Sequence, residues 1–133
     1  LLRAAETLSR KLEGLAEEVQ EPDFFGNESP ELLLVGWGSL YGPLREAVEL
    51  LQKENISAGA LIFGDLYPFP SKLLKKYAGY AKKLVNVEQN DTGQLARLIR
   101  QETGIAMDHS ILNYDGRQMS AHMIYERAKK EVL

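Results

Sequence analysis

Four short apolar runs, each followed by a stretch of helical spacing, are what most constrain the fold of this chain: LLLVG at 32–36, AGALIF at 58–63, KLVNVE at 83–88 and SILNY at 110–114. Strands this apolar are buried on both faces, and repeated strand–helix alternation with right-handed crossovers gives a parallel sheet between helices. The pattern predicts a three-layer α/β domain over residues 31–133. The intervening helices are expected from about Pro43 to Glu54, with Leu44, Ala47, Val48 and Leu51 facing one way, over PSKLLKKY with Pro70 at its first position, after Asp91, and from about Ser120.

Before that block, Leu1, Ala5, Leu8, Leu12, Leu15 and Val19 recur at spacings of four and three, which predicts an amphipathic helix. The stripe has too few heptads for a coiled coil and suits packing on a neighbouring domain or subunit, a homodimer included. Pro22, Gly26, Asn27 and Pro30 then read as a linker, so residues 1–30 form a helix and linker ahead of the domain. The first residue is not Met, which suggests a piece of a longer polypeptide.

The balance of charges excludes some partners. With 16 Lys and Arg against 19 Asp and Glu, the chain lacks the basic surface that nucleic acid requires. No run approaches the roughly 18 apolar residues of a membrane span. Cysteine is absent, so the chain supplies no thiolate to a metal or cluster.

In sheets of this kind, ligands and partners meet the loops beyond the carboxyl ends of the strands. Three such loops are candidates. GWGSLYGP, residues 36–43, offers Gly38, Ser39, Tyr41 and Gly42 at a strand-to-helix turn, and its glycines allow close backbone approach to an anion or a partner. The spacing of its glycines is one residue longer than the dinucleotide fingerprint, although Asp65 lies where a ribose-binding acid would sit. DLYPFP, residues 65–70, holds Phe69 between two prolines, either as a rigid interface aromatic or, with Tyr67, as a core anchor. VNVEQNDTGQLARLIRQETG, residues 85–104, concentrates Glu88, Gln89 and Asn90 at a strand tip, and Asp91 and Gln94 have the spacing of a reciprocal helix cap. Gly104 marks that helix's far end. Glu88 and Asn90 then have either a functional or interface role or a place in a network tying adjacent loops together.

His109 and His122 lack the spacing of a metal pair and read as surface or satisfied histidines. Arg127, Lys129 and Lys130 read as a solvated helix end that complements the dipole.

Taken in order, GWGSLYGPLREAVELL, LYPFP, VEQNDTGQLARLIRQETGI and NYDGR resemble the C-terminal domain of the alpha subunit of 2-oxoacid:ferredoxin oxidoreductases, most closely the 2-oxoglutarate type. The resemblance covers residues 31–133 and implies a fold similar to the transketolase C-terminal domain, with one reversed strand in the HSILNY region or at another edge. It implies that the whole enzyme oxidatively decarboxylates a 2-oxoacid to its acyl-CoA and passes electrons to ferredoxin in the cytoplasm. Thiamine diphosphate, magnesium, iron–sulfur clusters and coenzyme A would be held by the remaining alpha-subunit domains and the beta subunit, none by this chain. Gly38 and Ser39 match the family's GS turn, Phe69 its PFP, Glu88, Gln89 and Asn90 its EQN, and Gly93 and Gln94 its GQL. The resemblance gives none of them a catalytic role, and implies that they shape contacts with other domains and subunits. Asp91 stands where the family often has an aromatic.

Overall fold

The computed structural model describes residues 20–133 except Asp65, Tyr67, Tyr114 and Asp115, so the expected helix over 1–19 and the readings of Asp65 and Tyr67 lie outside the described residues. Among the described residues, five strands and four helices follow in order: β1 Asp23–Gly26, β2 Leu32–Trp37, α1 Tyr41–Lys53, β3 Ala58–Phe63, α2 Lys72–Ala78, β4 Lys83–Glu88, α3 Gln94–Thr103, β5 His109–Leu112 and α4 Ala121–Arg127. A 3-10 turn, Gly38–Leu40, joins β2 to α1, and a π-helical turn, Ala128–Val132, extends α4.

The sheet order is β1-β3-β2-β4-β5, parallel throughout except for β1, which runs antiparallel to β3. The reversed strand is therefore at the β1 edge, and β5 in the HSILNY region is parallel to β4. β1 also corrects the linker reading of residues 21–30. The stretch is rich in breakers, yet Phe24 stacks on Tyr77 at 3.8 Å and Arg45 lies over the Phe25 ring, so packing outweighs local propensity.

Alternation along each strand sends side chains to opposite faces. Leu32, Leu34, Ala58, Ala60, Val85 and Val87 pack with α1 and α4. Leu33, Val35, Leu61, Phe63 and Leu84 pack with α2 and α3. The apolar face of α1 is the one expected, with Leu44, Ala47, Val48 and Leu51 buried. Its end is a Schellman turn in which Asn55, at φ 63°, and Ile56 donate backwards to Gln52 and Leu51 at 2.9 and 3.1 Å.

Both helices on the second face begin differently from expectation. α2 starts at Lys72, not at Pro70, and the carboxylate of Glu21 accepts the Leu73 N–H at 2.8 Å from 52 residues upstream. α4 begins as expected, with the Ser120 hydroxyl accepting the Met123 N–H at 3.1 Å. Its basic end is not simply solvated: Arg127 donates to the Leu112 carbonyl at 2.6 Å, and Lys129 pairs with Glu54 at 3.0 Å.

Candidate functional site

The strand order reverses at β2, which lies between β3 and β4, and the loops leaving β2 and β4 diverge above that point. Open α/β sheets bind ligands in this crevice. Here it is a cavity of about 320 Å³ lined by Trp37, Gly38, Ser39, Leu40, Gln89, Asn90 and Gln94. Gly38 has φ 64°, a conformation that glycine adopts at no steric cost. A Cβ on Gly36, two residues earlier in β2, would lie 2.4 Å from Leu44 Cδ1, so that glycine lets α1 approach the sheet.

Beneath the crevice lies a polar network built on Glu88. Its side chain is fully buried and accepts four hydrogen bonds: from Leu95 N–H at 2.6 Å and Asn90 Nδ2 at 3.1 Å on one oxygen, and from Asn86 Nδ2 at 2.7 Å and Ala96 N–H at 3.2 Å on the other. Two of these donors are orphan amides of the first turn of α3, where the helix dipole favours negative charge. Such a set satisfies an acceptor-only carboxylate without a cationic partner.

The expected cap at Asp91 is therefore corrected. The N-cap position is Gly93 at φ 66°, with no local side-chain cap, while Asp91 is exposed and makes no hydrogen bond among the described residues. Asn90 accepts the N–H groups of Thr92 and Gly93 at 3.0 and 2.8 Å, an Asx turn that brings the chain round so that α3 points its amides at Glu88. Gln89 acts on the neighbouring loop: its oxygen accepts Met119 N–H at 2.8 Å and its amide donates to the Arg117 carbonyl, which Asn113 Nδ2 also reaches. The three residues hold one helix and one loop.

Of the sequence candidates, Gly38, Ser39, Gln89, Asn90 and Gln94 meet at the crevice, and Glu88 and Gly93 are buried below it. Tyr41 and Gly42 open α1 and are exposed. Phe69 is elsewhere, half-buried and stacked on Phe63 at 5.1 Å against the core under α2. Sequence reasoning missed Asn86 and Ser110. Asn86 is fully buried and bridges Glu88 to the Ser110 hydroxyl, which donates to its Oδ1 at 2.6 Å. A lone amide inside KLVNVE was the available signal, since a buried amide needs partners on the same face.

His109 pairs with Glu131 at 2.9 Å and His122 with Glu126 at 3.4 Å, and no group of three or more potential metal ligands occurs among the described residues. No helix among them is long and apolar enough to cross a membrane. A larger cavity, about 520 Å³, opens at the opposite end of the sheet between Leu32, Ile56 and Val132, far from these loops.

A transketolase structure, the split-gene inactive beta4 tetramer, superposes with a TM-score of 0.61 at 17% identity over 84% of this chain and 42% of that one. At that identity the likeness establishes the fold alone: an open, mostly parallel α/β domain of transketolase type. The sequence profile of Pyruvate:ferredoxin oxidoreductase core domain II matches residues 30–124, and the chain belongs to that family. It is 32% identical over 124 residues to the alpha subunit of 2-oxoacid:ferredoxin oxidoreductase 2 from Aeropyrum pernix, covering 91% of this chain and 19% of that protein. The 2-oxoglutarate:ferredoxin oxidoreductase from Magnetococcus marinus, solved with 2-oxoglutarate, coenzyme A and succinyl-CoA bound, has a TM-score of 0.83 at 27% identity, over 91% of this chain and 21% of that one. The chain thus spans about a fifth of the length of these relatives.

Proposed function

We propose that this chain is a domain of the alpha subunit of a 2-oxoglutarate:ferredoxin oxidoreductase, acting as scaffold and subunit contact rather than as the bearer of catalytic groups. The observation that carries this reading is the state of Glu88. All four hydrogen bonds to the Glu88 carboxylate come from the domain's own strand, loop and helix, which leaves it no free lone pair aimed at a substrate. The whole enzyme would convert a 2-oxoacid to its acyl-CoA with electrons passed to ferredoxin. Its thiamine diphosphate, magnesium, coenzyme A and iron–sulfur clusters would sit in the other alpha-subunit domains and the beta subunit. The lack of cysteine in this chain supports placing the iron–sulfur clusters in the other domains and subunits. No step of the reaction is routed through this chain.

The test is complementation. The 133-residue chain alone should give no 2-oxoglutarate- and CoA-dependent viologen reduction, and mixing it with the remaining alpha-subunit domains and the beta subunit should restore turnover. Turnover by the chain alone, or tight thiamine diphosphate binding in calorimetry, would overturn the reading.

A second reading, a coenzyme-binding module, is favoured by the place of the crevice at the switch point. NAD, FAD or coenzyme A at 100 times its dissociation constant would add about 2.7 kcal/mol of stability, so an unchanged melting temperature with all three removes it.

A further inference from the structure

The layer formed by α2 and α3 carries a charge that the rest of the chain lacks. Residues 72–103 hold seven Lys and Arg against three Asp and Glu, one of them the buried Glu88, whereas the remaining residues hold nine against sixteen. Lys72, Lys75 and Lys76 share one side of α2, Arg97 and Arg100 share one side of α3, and all five are exposed. Leu74, Leu95 and Ile99 occupy the opposite sides and are buried, so the cations point away from the sheet.

The other helical layer treats its charges differently. There Lys129 pairs with Glu54 at 3.0 Å and Arg127 with Glu131 at 2.5 Å. Among the described residues, none of the five cations on α2 and α3 has a carboxylate within ion-pair distance. The acids that complement the N-termini of these two helices come from outside them: Glu21 reaches α2 and Glu88 reaches α3. Lys75, Lys76 and Arg100 lie in the last turns of their helices, where the dipole favours cations, but Lys72 and Arg97 do not, and each faces a like charge three or four residues away.

We propose that the α2/α3 face docks an acidic protein surface in a transient, salt-sensitive contact. The face has the composition of an electrostatic encounter surface and not of a permanent interface, because it is dominated by charge and Tyr80 is its one exposed large apolar side chain among the described residues. Its size selects a compact partner. The helices are roughly 10 and 15 Å long, and the rest of the chain carries an excess of acids, so an extended polyanion such as a nucleic acid or a membrane is disfavoured relative to a discrete acidic patch on a folded protein.

The test uses the 133-residue chain labelled with 15N, with poly-L-glutamate as the acidic polypeptide probe and a duplex oligonucleotide and phosphatidylserine vesicles as the competing classes. Poly-L-glutamate should shift the amides of residues 72–83 and 94–103, and the shifts should vanish at about 0.5 M salt, where screening is nearly complete over the contact distance. The variant Lys72→Gln/Lys75→Gln/Arg97→Gln should weaken binding about tenfold, by loss of three charge contacts. Far-UV circular dichroism of that variant checks that it is folded, and Lys53→Gln/Lys130→Gln, on the other layer, should bind like the wild type. Undisturbed amides on α2 and α3, unchanged affinity in the triple variant, or tighter binding of the oligonucleotide or vesicles to this face would each overturn the proposal.

Discussion

The carboxylate of Glu88 accepts the backbone N–H of Leu95 at 2.6 Å, so the last residue of β4 caps the helix that begins six residues after it. This one contact couples the sheet to α3 and explains why a charged residue sits fully buried at the end of an apolar strand. A cap supplied from the strand tip fixes the direction of the helix relative to the sheet, which a cap on the helix's own first turn does not.

Replacing Glu88 by Gln keeps the shape but turns one acceptor into a donor. Each oxygen now faces one backbone N–H and one asparagine amide, and the backbone groups cannot turn away. Asn86 and Asn90 are held by Ser110 and by the Asx turn, so they do not flip freely either. The expected loss is about 2–4 kcal/mol, the sum of an unsatisfied buried donor pair and a weakened cap. Urea unfolding should show a lower midpoint at unchanged slope, and a midpoint within error of wild type would contradict the network.

Asp91 and Asn90 separate the local cap from the observed one. Asp91→Ala should change stability by less than about 0.5 kcal/mol, since the side chain is exposed and makes no hydrogen bond among the described residues. Asn90→Ala removes the Asx turn and one of the Glu88 donors, and should cost about 1–2 kcal/mol. The reverse order of effects in thermal melts would restore Asp91 as the cap.

The contrast between these neighbours marks what the sequence made legible. Strand runs and the apolar face of α1 follow from periodicity, because each is a property of consecutive residues, and β2, β3 and β4 lie where their apolar runs are. Ser120 and Gly104 delimit their helices as read, since both act within a turn of themselves. Caps supplied by Glu21 and Glu88 from 52 and seven residues away have no local spacing to betray them, so Pro70 and Asp91 took their place in the reading. β1 was missed for a related reason: a four-residue edge strand is held by pairing with β3 and by Phe24 and Phe25 packing, against the local weight of Pro22, Gly26 and Pro30.

Gln89→Ala should act on a loop rather than on the fold. The side chain joins Met119 N–H and the Arg117 carbonyl across 28 to 30 residues, from an exposed position. Losing it should cost about 1 kcal/mol and raise hydrogen exchange at Met119 while leaving the β4 amides protected. Uniformly faster exchange across β4 would mean that Gln89 supports the sheet itself.

Gly36→Ala tests how closely α1 lies on β2. The added methyl would sit 2.4 Å from Leu44 Cδ1 and 3.3 Å from the Val87 carbonyl, and Leu44 is buried with little room to turn. Overpacking of this kind costs about 1–3 kcal/mol. Gly38→Ala differs in cause, since its Cβ would meet nothing within 4 Å and only the positive φ opposes it, at about 1 kcal/mol. The double variant Gly36→Ala/Leu44→Ala should recover part of the Gly36→Ala loss if the clash is with Leu44, and calorimetry should detect that non-additivity.

Acid stability should carry a contribution from the end of α4. The Arg127 guanidinium, hydrogen bonded to Glu131 at 2.5 Å, is the largest influence holding that carboxyl below its ordinary value; partial burial opposes it and His109 at 2.9 Å reinforces it. A carboxyl whose folded value lies below its unfolded value stabilises the fold above the unfolded value, and that stability is lost as pH falls through the folded one. The window therefore opens near pH 4.3, the ordinary glutamate value, and closes below it. Because the pair is about a quarter exposed, with side-chain accessibilities of 29% and 27%, solvent screening limits the effect to about 0.5–1 kcal/mol. Glu131→Gln should reduce stability at pH 7 by that amount and show no deficit at pH low enough for the wild-type carboxyl to be protonated in both the folded and the unfolded state, and a carbon-detected titration of the wild-type Glu131 carboxyl should give a midpoint below the ordinary glutamate value. A midpoint at or above the ordinary value would show that the Arg127 contact does not persist in solution.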